Sequence, residues 1–239
     1  MRTVLAIYRR ELASSFNSPL AYIVLPVYLV LVGLFALVLN DIFDTGMATM
    51  RVVFFWCAMF LLLLVPAVTM RLFAEEKRTG SLELLVTMPV TEGEVVAGKY
   101  LAALTLILAA LGLTLGYPLV LGSMADMDWG PVFGGYLGLA LLAAAYTAIG
   151  TAASSMTSNQ IVAFLIAVSL CIIPYVVGFF LTAVPASILP LVQYLSFDYH
   201  FSSLARGVID TRNIVFNLSV AALFLHAAAF ALEQRRLAS

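Results

Sequence analysis

The stretch Arg71-Leu72-Phe73-Ala74-Glu75-Glu76-Lys77-Arg78-Thr79-Gly80-Ser81-Leu82-Glu83 separates two long apolar runs. With its continuation through Met88-Pro89 and Thr91-Glu92-Gly93-Glu94 to Gly98-Lys99, it holds nine of the twelve basic and thirteen acidic residues of the chain. The sequence around it belongs in lipid: 63% of the 239 residues are hydrophobic and 10% are charged, where a soluble domain carries about 25%. A chain of this composition is an all-α, polytopic membrane protein.

Six stretches reach the roughly 20 apolar residues that a membrane crossing needs: 20–39, 52–72, 95–121, 132–153, 161–183 and 214–232. The first run is too long for the apolar part of a signal peptide. Thr91 and Glu94 form a capping-box pattern ahead of the third stretch. Asp128 is expected to cap the fourth, with Pro131 in its first turn, and Ser158 the fifth. Ahead of the first stretch, Leu5, Tyr8, Leu12 and Phe16 recur at helical spacing, flanked by Arg2 and Arg9. Residues 1–16 therefore read as an amphipathic helix on the membrane surface.

The basic residues set the orientation. With the N-terminus inside, Arg2, Arg9, Arg10, Arg71, Lys77, Arg78, Lys99, Arg235 and Arg236 are cytoplasmic, and Arg51, Arg206 and Arg212 are external. Both termini and the charged stretch are then cytoplasmic. The other polar segment, 184–213, is external. It contains Pro185 and Pro190 and mixes apolar with polar residues, which suits short helices dipping into the outer leaflet. In this cap, Asp198, Tyr199, His200, Arg206 and Asp210 are expected to hold the fold or seat a partner, with Asp198 and Arg206 able to pair if the chain turns back.

Several chemistries lack their residues. No ionisable cluster lies in the middle of a stretch, as ion-coupled transport requires. No metalloprotease or nucleophile motif is present. His226 stands alone in the last stretch, and Cys57 and Cys171 lie within apolar runs. Asp198 and His200, two apart, read as hydrogen-bonded loop residues and no metal is expected. Gly93-x-x-x-x-Gly98-Lys99 imitates a phosphate loop but continues with Tyr100, which cannot supply the small hydroxyl that holds magnesium. The chain is thus expected to be no enzyme and to hold no cofactor. Energy for any work it does comes from another subunit.

Residues 73–94 are the place for that subunit to act. Gly80-Ser81 ends one helix and starts another, on which Leu82, Leu85 and Val86 share a face before Pro89 stops the turn. Glu75, Glu76, Arg78 and Glu83 supply charged handles.

The run Glu-Glu-Lys-Arg-Thr-Gly-Ser-Leu-Glu-Leu-Leu-…-Pro from Glu75 to Pro89, followed by Gly98-Lys99, resembles the coupling-helix signature of ABC exporter permeases of the type 2 membrane class. More closely, the chain is similar to the GldF-like, gliding-motility-associated permeases. That match also rests on Pro66-Ala-Val-Thr-Met-Arg71, Ala143-Ala-Ala-Tyr-Thr-Ala-Ile-Gly150, Ser158-Asn-Gln-Ile-Val-Ala-Phe164, Leu195-Ser-Phe-Asp-Tyr-His-Phe201 and Arg206-Gly-Val-Ile-Asp210. The resemblance implies a single permease domain over 1–239 in a bacterial inner membrane. It implies a second permease copy, a GldA-like cytosolic ATPase carrying ATP and magnesium, and a GldG-like partner with an external domain. Gly112-x-x-x-Gly116 and Gly134-x-x-x-Gly138 offer close helix packing, within or between subunits.

The expected function is outward movement of an amphipathic or lipid-linked substrate, because spans without charges suit an apolar path. The alternative is a subunit that relays ATPase movement to an external partner with no transport. A reporter active only outside the cytoplasm should give signal when fused after Asp126 and none after Glu94. The reverse pattern would overturn the orientation.

Overall fold

The computed structural model describes residues 2–38, 50–80, 90–124 and 126–238. Among these there is no strand. The helices are α1 (Arg2–Asn17), α2 (Pro19–Gly33, extended by a π turn Leu34–Val38), α3 (Arg51–Thr69) and α4 (Arg71–Thr79). They continue with α5 (Glu92–Leu113), α6 (Gly116–Met124), α7 (Trp129–Met156) and α8 (Gln160–Val176, extended by a 3₁₀ turn Val177–Ala183). The last are α9 (Leu189–Leu195), α10 (Phe197–Ala205) and α11 (Thr211–Ala238). Among the described residues, six segments are long and apolar enough to cross a membrane: Ala21–Val38, Arg51–Thr79, Glu92–Ser123, Trp129–Met156, Gln160–Leu181 and Thr211–Gln234. The chain is an all-α polytopic membrane protein. Ile23, Val30, Leu119, Phe133, Leu165, Ile173 and Leu223 point out of the bundle, as side chains facing lipid do.

Helix α7 is the centre of the bundle and packs on α3, α4, α5, α8, α10 and α11. Its sequence explains this. Glycines and alanines recur along it, and small residues let helix backbones approach closely. A methyl group on Gly135 would overlap the Phe54 ring of α3, and one on Gly150 would overlap Thr69. On another face, Gly134 lies under the Leu204 carbonyl, and Gly138 would place a Cβ 3.1 Å from both Leu204 and Phe201 of α10. The Gly134–Gly138 pair thus packs within the chain. Around Gly112 and Gly116 there is open space on the outside of the bundle.

Breaks in the spans are matched by side chains that take up the freed backbone groups. Expected as one helix, the third span is interrupted at Thr114 and Leu115. There Tyr136 Oη donates to the Thr114 carbonyl (2.8 Å) and Thr114 Oγ1 to that of Leu111 (2.6 Å). Thr91 and Glu94 complete the capping box, and Asp128 accepts from the Gly130 amide at 3.0 Å. The fifth span corrects the expectation. Asn159, not Ser158, is the cap, its Oδ1 accepting from the amides of Ile161 (2.9 Å) and Val162 (3.5 Å). Asparagine caps as well as serine does and stands one residue nearer the helix.

Helix α1 also differs from expectation. Its Val4, Ile7, Tyr8, Glu11 and Ser15 face turns toward the protein and packs on α5. Leu5 and Phe16, from the stripe read as membrane-facing, are exposed on the neighbouring face. One helix therefore has a docking face and an adjoining greasy face. Overfilling the α7–α10 contact should be costly. Gly138→Leu is expected to lower stability by about 1–3 kcal/mol, read as a lower unfolding midpoint in detergent. Gly112→Leu, where a side chain meets nothing, should leave the midpoint unchanged.

Candidate functional site

The residues of the charged stretch gather at the end of the bundle that carries both termini. The capping box starts α5, and Gly98 lies one and a half turns along it. A Cβ at Gly98 would stand 2.7 Å from Ile7 Cγ2 and 3.2 Å from the Val4 carbonyl, so the missing side chain is what lets α1 sit down on α5. The next residue, Lys99, is 1% exposed. Its Nζ lies 2.8 Å from Glu76 Oε1 of α4 and 3.0 Å from Glu11 Oε1 of α1. It also stands 5.4 Å above the Phe73 ring. Arg10 reaches the same carboxylates, at 2.9 Å for Glu11 and 3.5 Å for Glu76. Among the described residues, two cations and two anions thus meet where three helices join. Burial pushes the Glu11 carboxyl up, but Lys99 and Arg10 together hold it below the usual glutamate range.

Helix α4 is fixed on its other side by α7. Ser154 Oγ accepts from the backbone amides of Phe73 (3.0 Å) and Ala74 (3.1 Å) and donates to the Met70 carbonyl (2.9 Å). One hydroxyl serves three backbone groups at the join between α3 and α4. Lys77 Nζ donates to the Ser155 carbonyl. Arg71 and Glu75 pair along the helix at 2.9 Å. Gly80, at φ 73°, ends α4 in the left-handed conformation that glycine adopts without a Cβ clash. At the same end, Arg236 of α11 reaches Glu92 at 2.6 Å.

These positions refine the expected docking set. Glu75, Arg78 and Gly80 lie on or at the end of α4, with Arg78 exposed. Glu76, Gly98 and Lys99 are drawn into the bundle and join helices to one another. Ser81, Leu82, Glu83, Leu85 and Pro89 fall outside the described residues. Sequence reading missed Glu11, Phe73, Ser154 and Ser155 as members of this group. A lone acid among the arginines of α1 was a signal, but nothing local shows that its partner is 88 residues away.

At the opposite end, α10 enters the bundle beside α7. Phe197, His200, Phe201 and Leu204 are buried. The Phe197 ring meets Tyr146 edge-on at 5.1 Å, and Gly207, at φ 84°, crosses closely over Pro131. His200 Nε2 faces the Tyr194 carbonyl at 2.9 Å, and Nδ1 is 2.7 Å from the Asn213 side-chain amide. A carbonyl accepts only, so Nε2 donates. The ring stacks on Phe216 at 4.1 Å.

The expected Asp198–Arg206 pair is absent. Asp198 folds over Gly178 and is half-buried, and that burial raises its carboxyl. Arg206 is exposed and donates to the Ser202 carbonyl at 3.1 Å. The helical geometry of α10 sets the two residues about two turns, ~12 Å, apart along its axis. Asp210 accepts from the Arg212 amide at 2.8 Å and starts α11. Tyr199 is exposed. Among the described residues no group of three metal-ligating side chains occurs.

The Glu11 shift has a direction that can be tested. A carboxyl held low in the docked state adds stability that is present above its undocked value and is lost as pH falls through its docked value. Protease cleavage within α1 should therefore be slow at neutral pH and accelerate once pH drops below the usual glutamate range. Glu11→Gln should show weaker protection at neutral pH and lose the acid response.

No curated protein matches the chain. The family model for ABC-2 family transporter proteins matches residues 39–232, most of its length. That span includes the join of α3 and α4, the small-residue helix α7 and the inserted helix α10. The chain belongs to the ABC-2 transporter family and is a membrane subunit of an ABC transporter.

Proposed function

We propose that this subunit is a GldF-like exporter permease in a bacterial inner membrane, with both termini cytoplasmic. It pairs with a second permease copy and takes its energy from a GldA-like ATPase docked on residues 73–94. The observation that carries this reading is the fixation of α4. Two serines and a lysine of the α4–α7 contact, with the Glu76–Lys99 pair, make α4 a stiff extension of the second span. It ends at Gly80, on the charged stretch. A push delivered there enters the bundle with little loss. Its substrate is amphipathic or lipid-linked, in keeping with the apolar interior of the spans.

A second reading has support in one feature. At the far end, Tyr199, Val208 and Ile209 are exposed around a firmly seated α10, which suits a GldG-like external partner receiving movement without transport. ATP-dependent transfer of labelled lipid or glycan in proteoliposomes separates the two readings, since only the exporter moves it.

The docking assignment has its own test. Cysteines placed at Ser81 and Leu85 should crosslink to the ATPase in the assembled complex. Leu82→Asp should leave membrane insertion intact while uncoupling ATP hydrolysis from the membrane subunit. If crosslinks never form in an intact complex, this docking site is wrong.

A further inference from the structure

Lys99 is buried with two carboxylates from two other helices, and this arrangement has a mechanical meaning. A lone lysine near a helix end in a membrane protein turns its amine outward to the headgroups. This one turns inward. Its two carboxylate bonds lead to α1 and to α4, so α5 is the hub and the ammonium the pivot. Around it, Gly98 removes the side chain that would hold α1 away, and Phe73 of α4 closes the face of the ammonium. Helix α1 runs into the first span through the single residue Ser18 before Pro19. A shift of α4 therefore has a short route to the first span that bypasses the α2–α3 contacts inside the membrane.

We propose that Lys99, with Glu11 and Glu76, is the joint through which movement of α4 is delivered to α1 and so to the first span. Lys99 is a positioning residue here: it touches neither nucleotide nor substrate. This inference rests on the reading that an ATPase drives α4. It adds that α1 travels with α4 as one body, and that the amphipathic helix is an output of the ATPase stroke as well as a membrane anchor.

Removing the lysine alone would leave two carboxylates crowded in a half-buried site, so Lys99→Met by itself is expected to reduce the folded yield. The informative variant is the triple Lys99→Met with Glu11→Gln and Glu76→Gln, which removes the charges from the buried part of the site and leaves Arg10, whose side chain is 57% exposed, to water. Spin labels at Ala13 on α1, Thr79 on α4 and Ile161 on α8 report distances in the complex with its ATPase, with and without ATP and vanadate. In the unmodified joint, the Ala13–Thr79 distance should stay fixed between the two states while the distances of both to Ile161 change together. In the triple variant, α4 remains held to α7 by Ser154 and Lys77, so the Thr79–Ile161 change should persist while the Ala13–Ile161 change is lost. A triple variant that keeps the Ala13–Ile161 change overturns the proposal. So does a change in the Ala13–Thr79 distance with the joint intact, a measurement that holds even if the triple variant does not fold. Failure of the reading beneath it looks different: no ATPase binds, or Thr79 shifts with nucleotide in neither protein.

Discussion

Close approach of backbones along α7 is the constraint on which the rest of the bundle depends. Lipid offers no hydrophobic reward for bringing two apolar helices together, so contact area and polar bonds decide which helices meet. The Gly135 and Gly150 positions draw in α3, and Gly134 and Gly138 draw in α10. The hydroxyls of Ser154 and Ser155 lie where α7 meets α4. A leucine at any of the glycine positions would push out a neighbour, and the displaced helix would take one of the two polar clusters with it. Both ends of the molecule are therefore set by the same row of small side chains.

The second constraint is that every backbone amide and carbonyl within the apolar layer needs a partner. Hydroxyls and phenols supply such bonds at the irregular points and also within regular spans. Tyr28 Oη donates to the Cys57 carbonyl at 3.1 Å, and Tyr117 Oη to that of Leu29 at 2.6 Å. The Thr114 break has Tyr136, and the Met70 join has Ser154. These bonds also bridge neighbouring helices, so the places where a helix is interrupted are places where the bundle is tied across.

Much of this was legible in the sequence, and the reasons are local. Spans show as runs of apolar residues because burial in lipid acts on each residue independently of its partners. The Thr91–Glu94 box and the Asp128 cap are short-range patterns, as is the Gly80 stop. What could not be read depends on which helices meet. Lys99 looked like part of a docking stretch because its neighbours in sequence are charged. Its partners in space are Glu11 and Glu76, brought there by the notch at Gly98. The side of α1 that docks was likewise hidden, because a protein-facing and a lipid-facing stripe are both apolar. Asp198 and Arg206 were paired by proximity along the chain, which a helix turning between them defeats. For Ser81 to Pro89, the proposed docking site rests on the sequence pattern and on the fixed α4 before it.

The order of residues along the chain gives the Lys99 cluster one more consequence, in how the protein is made. A lysine entering the membrane region without a counter-ion is opposed by a few kcal/mol, about 2.5–3.5 at the centre of a helix and less toward its end. Arg10, Glu11 and Glu76 all precede Lys99, so each has left the ribosome before it. The third span thus reaches the bilayer with its counter-charges already made, and its insertion can be completed by parts that are present. A permuted chain that places α5 ahead of α1 and α4 would have to hold that charge alone until they arrived.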